Sequence, residues 1–194
     1  VLDINHRFQV DIQQGETYEV KLKGEDEFTR HVVIDQRDNE LRIDYDSPGL
    51  NFSKRGFDVK ILITAPELTS IRIDDRCRAY IAGFEGAEMK LRLDDRSHAT
   101  VEGNFEYLEA MVDDRSTLRL SGKGDDFEAV VSNRSNLSAR DYKSKRAKVF
   151  ANDRSEVRVF ATEQLSIDSD RNSNIYHDGT DNVTKIGEPV REDN

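Results

Sequence analysis

The chain has 194 residues and a formal net charge of −10, with 36% hydrophobic and 35% charged residues. That balance excludes simple nucleic-acid binding, which needs a basic stripe to displace counterions from phosphates, and it disfavours electrostatic attachment to anionic lipids. The one cysteine, Cys77, allows no intrachain disulfide, and no run of about 18 apolar residues offers a transmembrane helix. The apolar residues, though few, are regularly placed, which argues against disorder. The chain opens on Val1 rather than Met, which suggests a leader removed by processing or by design; a secreted or envelope-facing location, periplasmic or on the outer surface, is expected.

Residues 1–65 read as a β-rich cap or as divergent early coils. Phe8, Val10 and Ile12 alternate, as do Tyr18, Val20 and Leu22, and the Gln13-Gln14-Gly15-Glu16 segment between them predicts a hairpin turn. Residues 25–31 suit one helical turn. Leu41, Ile43 and Tyr45 form another alternating set, followed by Phe57, Val59, Ile61 and Ile63.

From residue 66 to 178 a short motif recurs: Asp74-Asp75-Arg76-Cys77, Asp94-Asp95-Arg96-Ser97, Asp113-Asp114-Arg115-Ser116, Ser132-Asn133-Arg134-Ser135, Asn152-Asp153-Arg154-Ser155 and Ser169-Asp170-Arg171-Asn172. The arginines are 20, 19, 19, 20 and 17 residues apart. Apolar residues flank them at fixed offsets: Ile73, Leu93, Val112, Val131 and Ala151 three before, and Ala79, Ala99, Leu118, Leu137 and Val157 three after. A small residue follows seven after in Gly83, Gly103, Gly122 and Ala161. The period within each unit is 2, so each reads as strand, polar turn, strand, turn. A unit of this size is too short for a crossover helix. It suits one coil of an all-β, right-handed parallel β-helix or β-roll, a solenoid whose coils stack like side chains on like. Phe84, Phe105 and Phe160 are placed to plug a corner. The last unit carries one extra residue before Arg171, which a bulge or a wider turn would absorb. Residues 179–194 read as a polar cap or tail.

Stacking is expected to put Arg76, Arg96, Arg115, Arg134, Arg154 and Arg171 in one column, beside Asp75, Asp95, Asp114, Asn133, Asp153 and Asp170. Like charges one coil apart repel, and carboxylates alongside would offset this through bidentate contacts. The ladder is therefore read as structural, a device that fixes register. Interleaved arginines argue against a calcium site, and His6, His31, His98 and His177 share no metal-ligand spacing. The column Cys77, Ser97, Ser116, Ser135, Ser155, Asn172 reads as turn-filling, with hydroxyls bonded to local backbone. No catalytic constellation, cofactor motif or metal centre is expected.

Residues 57–179 resemble the head GIN domain of putative autotransporter adhesins, a family common in Bacteroidetes. The resemblance lies in Ala65-Pro66-Glu67-Leu68-Thr69-Ser70-Ile71, like the family's P-x-L-x-x-I lead-in, and in the coils ending apolar-x-apolar-x-Gly. Phe8–Ile12, Gly15 and Leu41–Ile43 also fit the opening strands. The family's turns are often Gly-Ser-rich where this chain has Asp-Asp-Arg-Ser, and its closing Y-x-G-x-P motif is only partly present at Tyr176 and Gly179, without the proline. The resemblance implies a non-catalytic envelope module, an adhesin for a surface glycan or protein. Two other classes stand beside it: a β-helix enzyme acting on polysaccharide through carboxylates such as Asp94 and Asp95, and a structural or self-assembling protein, with a homo-oligomer formed through a solenoid face.

Overall fold

The computed structural model describes residues 1–46 and 59–186. Phe57 and the last eight residues of the polar C-terminal stretch lie outside that range. Of the described residues 70% are in strands and 2% in helix, wound as a parallel β-solenoid of about six turns with coils of about 19 residues. In chain order the elements are β1 (Leu2–Ile4), β2 (Gln9–Gln14), β3 (Glu19–Lys23), α1 (Asp26–Thr29), β4 (Val32–Arg37), β5 (Glu40–Tyr45), β6 (Lys60–Ala65), β7 (Ser70–Ile73), β8 (Arg78–Leu93), β9 (His98–Val112), β10 (Thr117–Val131), β11 (Asn136–Ala151), β12 (Glu156–Ser169), β13 (Asn174–Gly179) and β14 (Val183–Ile186).

The alternation in sequence becomes the solenoid interior. Ile71, Leu91, Ala110, Ala129, Val149 and Ile167 lie over one another along the parallel ladder, and all are buried. A side chain facing inward in one coil meets its equivalent in the next, about 4.8 Å away. Each fully buried aliphatic side chain contributes roughly 1.5–3 kcal/mol, so no single coil is stable alone and the stack is.

The second turn expected in each unit is absent. β8 to β12 run unbroken for 14–16 residues from one Asp-Arg turn to the next. The corner is a bend within a continuous strand, taken at small residues. Gly122 has φ +124°, and a Cβ there would come within 1.9 Å of the Gly103 carbonyl oxygen, so glycine is required. Differences in coil length are absorbed at this corner, where the register shifts between Arg119 and Ser121 and again between Ala139 and Ser144. Phe84 and Phe105 are buried near it, while Phe160 is half-buried with Lys143 Nζ 3.9 Å from its ring centre.

Residues 1–46 and 59–65 are arranged differently from the later coils. β1 is hydrogen-bonded to β7 on one side and β5 on the other, and β2 lies between β8 and β6, all parallel. The first coil of the sequence is thus the second coil of the stack. The chain leaves it, crosses the end of the solenoid, and returns as β5 and β6 to form the layer outside it. β3 and β4 close that end by antiparallel pairing with β6 and β5. The expected hairpin at Gln13-Gln14-Gly15-Glu16 does not form: β6 runs between β2 and β3 and pairs with both. The turn must straddle an intervening strand. Gly15 donates its N–H to the Ala65 carbonyl at 3.1 Å, and a Cβ on it would sit 2.3 Å from Thr64 Cγ2. At the other end, part of the polar C-terminal stretch is a strand, with β14 pairing parallel to the second half of β12.

Candidate functional site

The recurring Asp-Arg turns stack on one edge of the solenoid. In five of them both central residues lie in the left-handed region: Asp75 and Arg76, Asp95 and Arg96, Asp114 and Arg115, Asn133 and Arg134, Asp153 and Arg154, with φ between 47° and 65°. The fourth residue donates back to the first at Ser97–Asp94 (3.2 Å), Ser116–Asp113 (3.1 Å) and Ser135–Ser132 (3.2 Å). Paired positive φ values with this bond are the signature of a type I′ turn, whose twist suits neighbouring strands. Asp and Asn tolerate the left-handed conformation through local side-chain bonding, whereas for arginine it costs on the order of 1–2 kcal/mol.

In the three turns that open on aspartate the first residue holds the next amide. Asp74, Asp94 and Asp113 each accept from the N–H of the following residue through Oδ1, at 2.7, 2.9 and 2.9 Å. Register between coils is carried by backbone. Arg76 N–H donates to the Asp95 carbonyl at 3.0 Å, Arg96 to Asp114 at 2.9 Å, Arg115 to Asn133 at 3.1 Å and Arg134 to Asp153 at 2.9 Å.

The side chains do not form the expected charge ladder. Among the described residues, none of Arg76, Arg96, Arg115, Arg134 and Arg154 makes an ion pair within 4.0 Å. The aspartates face each other instead. Carboxylate oxygens of Asp94, Asp95 and Asp114 lie within 4.8 Å of one another, the arrangement a divalent cation could occupy. Asp94 and Asp95 are in a turn rather than on a strand, so strand alternation does not send them to opposite faces. Burial and then Asp113, Asp94 and Asp95 push the Asp114 carboxyl up, against Arg115. Asp74 is likewise raised by burial, with the carboxylates of Asp94, Asp95 and Asp75 adding and the Asp75 amide opposing. At Asp113 burial also pushes upward, but hydrogen bonds from Ser132, the Asp114 amide and Asn133 outweigh it and hold the carboxyl below its usual range.

The column changes character along its length. The turns at 74–76, 94–96 and 113–115 hold six aspartates and three arginines, whereas those at 132–134 and 152–154 hold one aspartate and two arginines. A groove of about 540 Å³ runs from the turn at 113–115 along this second part, lined by Asp114, Arg115, Asn133, Arg134, Asp153, Arg154 and Asn172.

Two alignments read from sequence need correction. In the last coil Ala151 pairs with Ser169, and Asp170 N–H bonds the Ala151 carbonyl at 3.1 Å. Asp170 therefore stands in the column of Asp74, Asp94, Asp113, Ser132 and Asn152, Arg171 in the aspartate column, and Asn172 in the arginine column. No bulge precedes Arg171; the inward positions Leu165, Ile167 and Ser169 fix the register, and the motif slides by one. The inner column ends in Ser173, not Asn172. That column is buried inside the turns: Ser97, Ser116, Ser135, Ser155 and Ser173 are at most 8% exposed. Three of its hydroxyls bond between coils rather than locally, and those of Ser97 and Ser155 are buried with no hydrogen-bond partner among the described residues. Ser116 Oγ accepts the Ser97 N–H at 3.1 Å, Ser135 the Ser116 N–H at 3.2 Å and Ser173 the Ser155 N–H at 3.2 Å. Cys77 continues the column, fully buried, with Sγ 3.3 Å from the Phe8 carbonyl. Burial pushes its thiol up to about 12.

Sequence reasoning missed one member. Asn5-His6-Arg7-Phe8 is the equivalent turn of the interleaved coil, since Asp74 N–H bonds the Ile4 carbonyl and Arg78 N–H the Phe8 carbonyl. His6, at φ 73°, stands in the aspartate column with Nε2 3.0 Å from Asp44 and Nδ1 3.3 Å from Asp75. The signal was present in the Arg7 that closes the motif. The excursion through β3–β6 places it outside the 20-residue period. His98 is exposed, with Nδ1 3.1 Å from the Arg96 carbonyl.

Comparison with known proteins agrees with the geometry. The family model described as "Putative auto-transporter adhesin, head GIN domain" matches residues 1–180. The fold is similar to that of a putative adhesin from Bacteroides fragilis NCTC 9343, with TM-score 0.81 at 17% identity over 96% of this chain and 88% of that one. A putative adhesin from Parabacteroides distasonis ATCC 8503 gives 0.69 at 13% over 97% and 90%. A putative lipid binding protein from the same organism gives 0.61 at 13% over 95% and 91%. No curated protein sequence matches the chain. Among the described residues no helix is long and apolar enough to cross a membrane.

Proposed function

The chain belongs to the family of head GIN domains of putative auto-transporter adhesins, and from that premise we propose that it is a non-catalytic binding module of the cell envelope or its exterior, an adhesin whose ligand is a surface glycan or protein. One observation carries the reading beyond the family. The solenoid presents an outer edge on which the same turn recurs coil after coil, with five arginine side chains that make no ion pair among the described residues. A repeated, preorganised surface suits an extended ligand contacted many times weakly. The carboxylates of Asp94, Asp95 and Asp114 are close enough for acid-base chemistry, but they sit on an open turn edge, and among the described residues no long loop builds a sugar cleft around them. Retention of the purified chain on a glycan array and a panel of matrix proteins tests the proposal. Selective retention on a small set of ligands is the expected result, and uniform absence of retention contradicts it.

A further inference from the structure

We infer that the groove along Arg115, Arg134 and Arg154 is a binding site for an acidic polysaccharide, a uronate-type chain laid parallel to the solenoid axis. The inference rests on the adhesin reading above and names the ligand class and the place.

Three independent features lead there. The first is cost. Each of these arginines holds a left-handed backbone conformation, φ 64° to 65°, that asparagine or glycine would hold with less strain. Strain of this kind persists where the side chain is needed. The second is the state of the guanidinium groups. Among the described residues no ion pair satisfies them, and backbone bonds already set the register, so the side chains are not required for stacking. The third is shape. The groups stand on successive coils roughly 4.8 Å apart, along an open groove of about 540 Å³. A file of forks on a straight line cannot converge on a single small anion, but can engage a linear one at successive units.

The lining selects among linear polyanions. Asp114, Asp153, Asn133 and Asn172 alternate with the arginines. Acceptors beside cations repel a densely charged phosphate backbone, and the net charge of −10 adds to that repulsion. A uronate chain offers both complements: carboxylates for the arginine forks and hydroxyl donors for the aspartate and asparagine oxygens. The acidic turns at 74–76 and 94–96, whose residues do not line the groove, mark where the site stops.

Calorimetric titration of the whole chain with polygalacturonate oligomers tests this, with neutral dextran and single-stranded oligothymidylate as comparators. Binding to the uronate alone, weakened by added salt, is expected. The variant R115N/R134N/R154N should keep its thermal midpoint or raise it, because asparagine relieves the left-handed strain. It should lose affinity by on the order of tenfold for each charged hydrogen-bonding partner removed. R76N/R96N, in the acidic part, should bind as the parent does. Unchanged binding by the triple variant, equal loss in R76N/R96N, or equal binding of oligothymidylate or dextran would overturn the site. If the chain takes no uronate but is retained on other glycans or matrix proteins, this inference falls and the adhesin reading stands. If it is retained on nothing, both fall.

Discussion

The coils from β7 onward and the coil formed by β1 and β2 have the same cross-section but were assembled by different rules. In the former, each strand pairs with the equivalent strand about 20 residues away, and stacking order follows chain order. In the latter, Leu2 and Ile4 lie between Leu41 and Ile43 on one side and Ile71 and Ile73 on the other, so a terminal segment is buried within the stack. Sequential coils can form by local growth, but the interleaved coil needs its outer layer from later in the chain. The comparison teaches that a solenoid end can be protected by tucking a terminus inward and covering it, with β3 and β4 as the antiparallel lid.

The sharpest way to break the regular part is at its corner. Gly122→Ala combines a positive φ with a Cβ closer to the Gly103 carbonyl than any real contact, and should cost about 3 kcal/mol or more. Gly86→Ala, with nothing within 4 Å of a Cβ, should shift stability by less than about 0.5 kcal/mol. Chemical denaturation of both variants measures the difference, and equal effects would mean that the corner is not the tight feature described.

Next in size, Ile4→Ala should cost about 3 kcal/mol, as much as Leu93→Ala in the regular coils, because both are fully buried. A terminal strand that frayed would show almost no loss, so the ratio of the two values measures how far the interleaved coil shares the rigidity of the rest.

The inner column gives smaller effects. Ser116→Ala removes one of the two acceptors of the Ser97 N–H and should cost about 1 kcal/mol. Cys77 occupies the same column next to the interleaved coil, and its folded thiol is raised from 9.0 to about 12. The folded state therefore binds this proton more tightly than the unfolded one. Its contribution to stability is complete below pH 9.0 and is lost as pH rises from there towards 12. At pH 8 a maleimide should label Cys77 only as fast as the chain opens, and rapid labelling in native buffer would show that the contact with Phe8 is not closed.

The regular coils were legible in the sequence because period-2 alternation and a fixed offset from each arginine carry the stacking register directly. Three things were not. The interleaving of β1 and β2 leaves no periodic trace, because Arg7 lies at a non-repeating distance from Arg76 and pairing across the stack is not encoded by spacing. The slide in the last coil was hidden because Arg171 resembles its counterparts, while Leu165 and Ile167, facing inward, decide the register. The fate of the arginine side chains depends on geometry. A Coulomb argument predicts pairing with the adjacent aspartates, but the left-handed turns and backbone bonds hold the coils together without it, which leaves the groove at Arg115, Arg134 and Arg154 as the unassigned chemistry of the site.

Hydrogen exchange resolved to single amides probes the burial of the first coil most directly. The N–H groups of Val10 and Ile12 in β2 should be protected to within about tenfold of those of Leu118 and Ala129 in β10, since all are paired on both sides. Exchange at Val10 and Ile12 as fast as at an unpaired terminus, with β10 still protected, would contradict a coil held inside the stack.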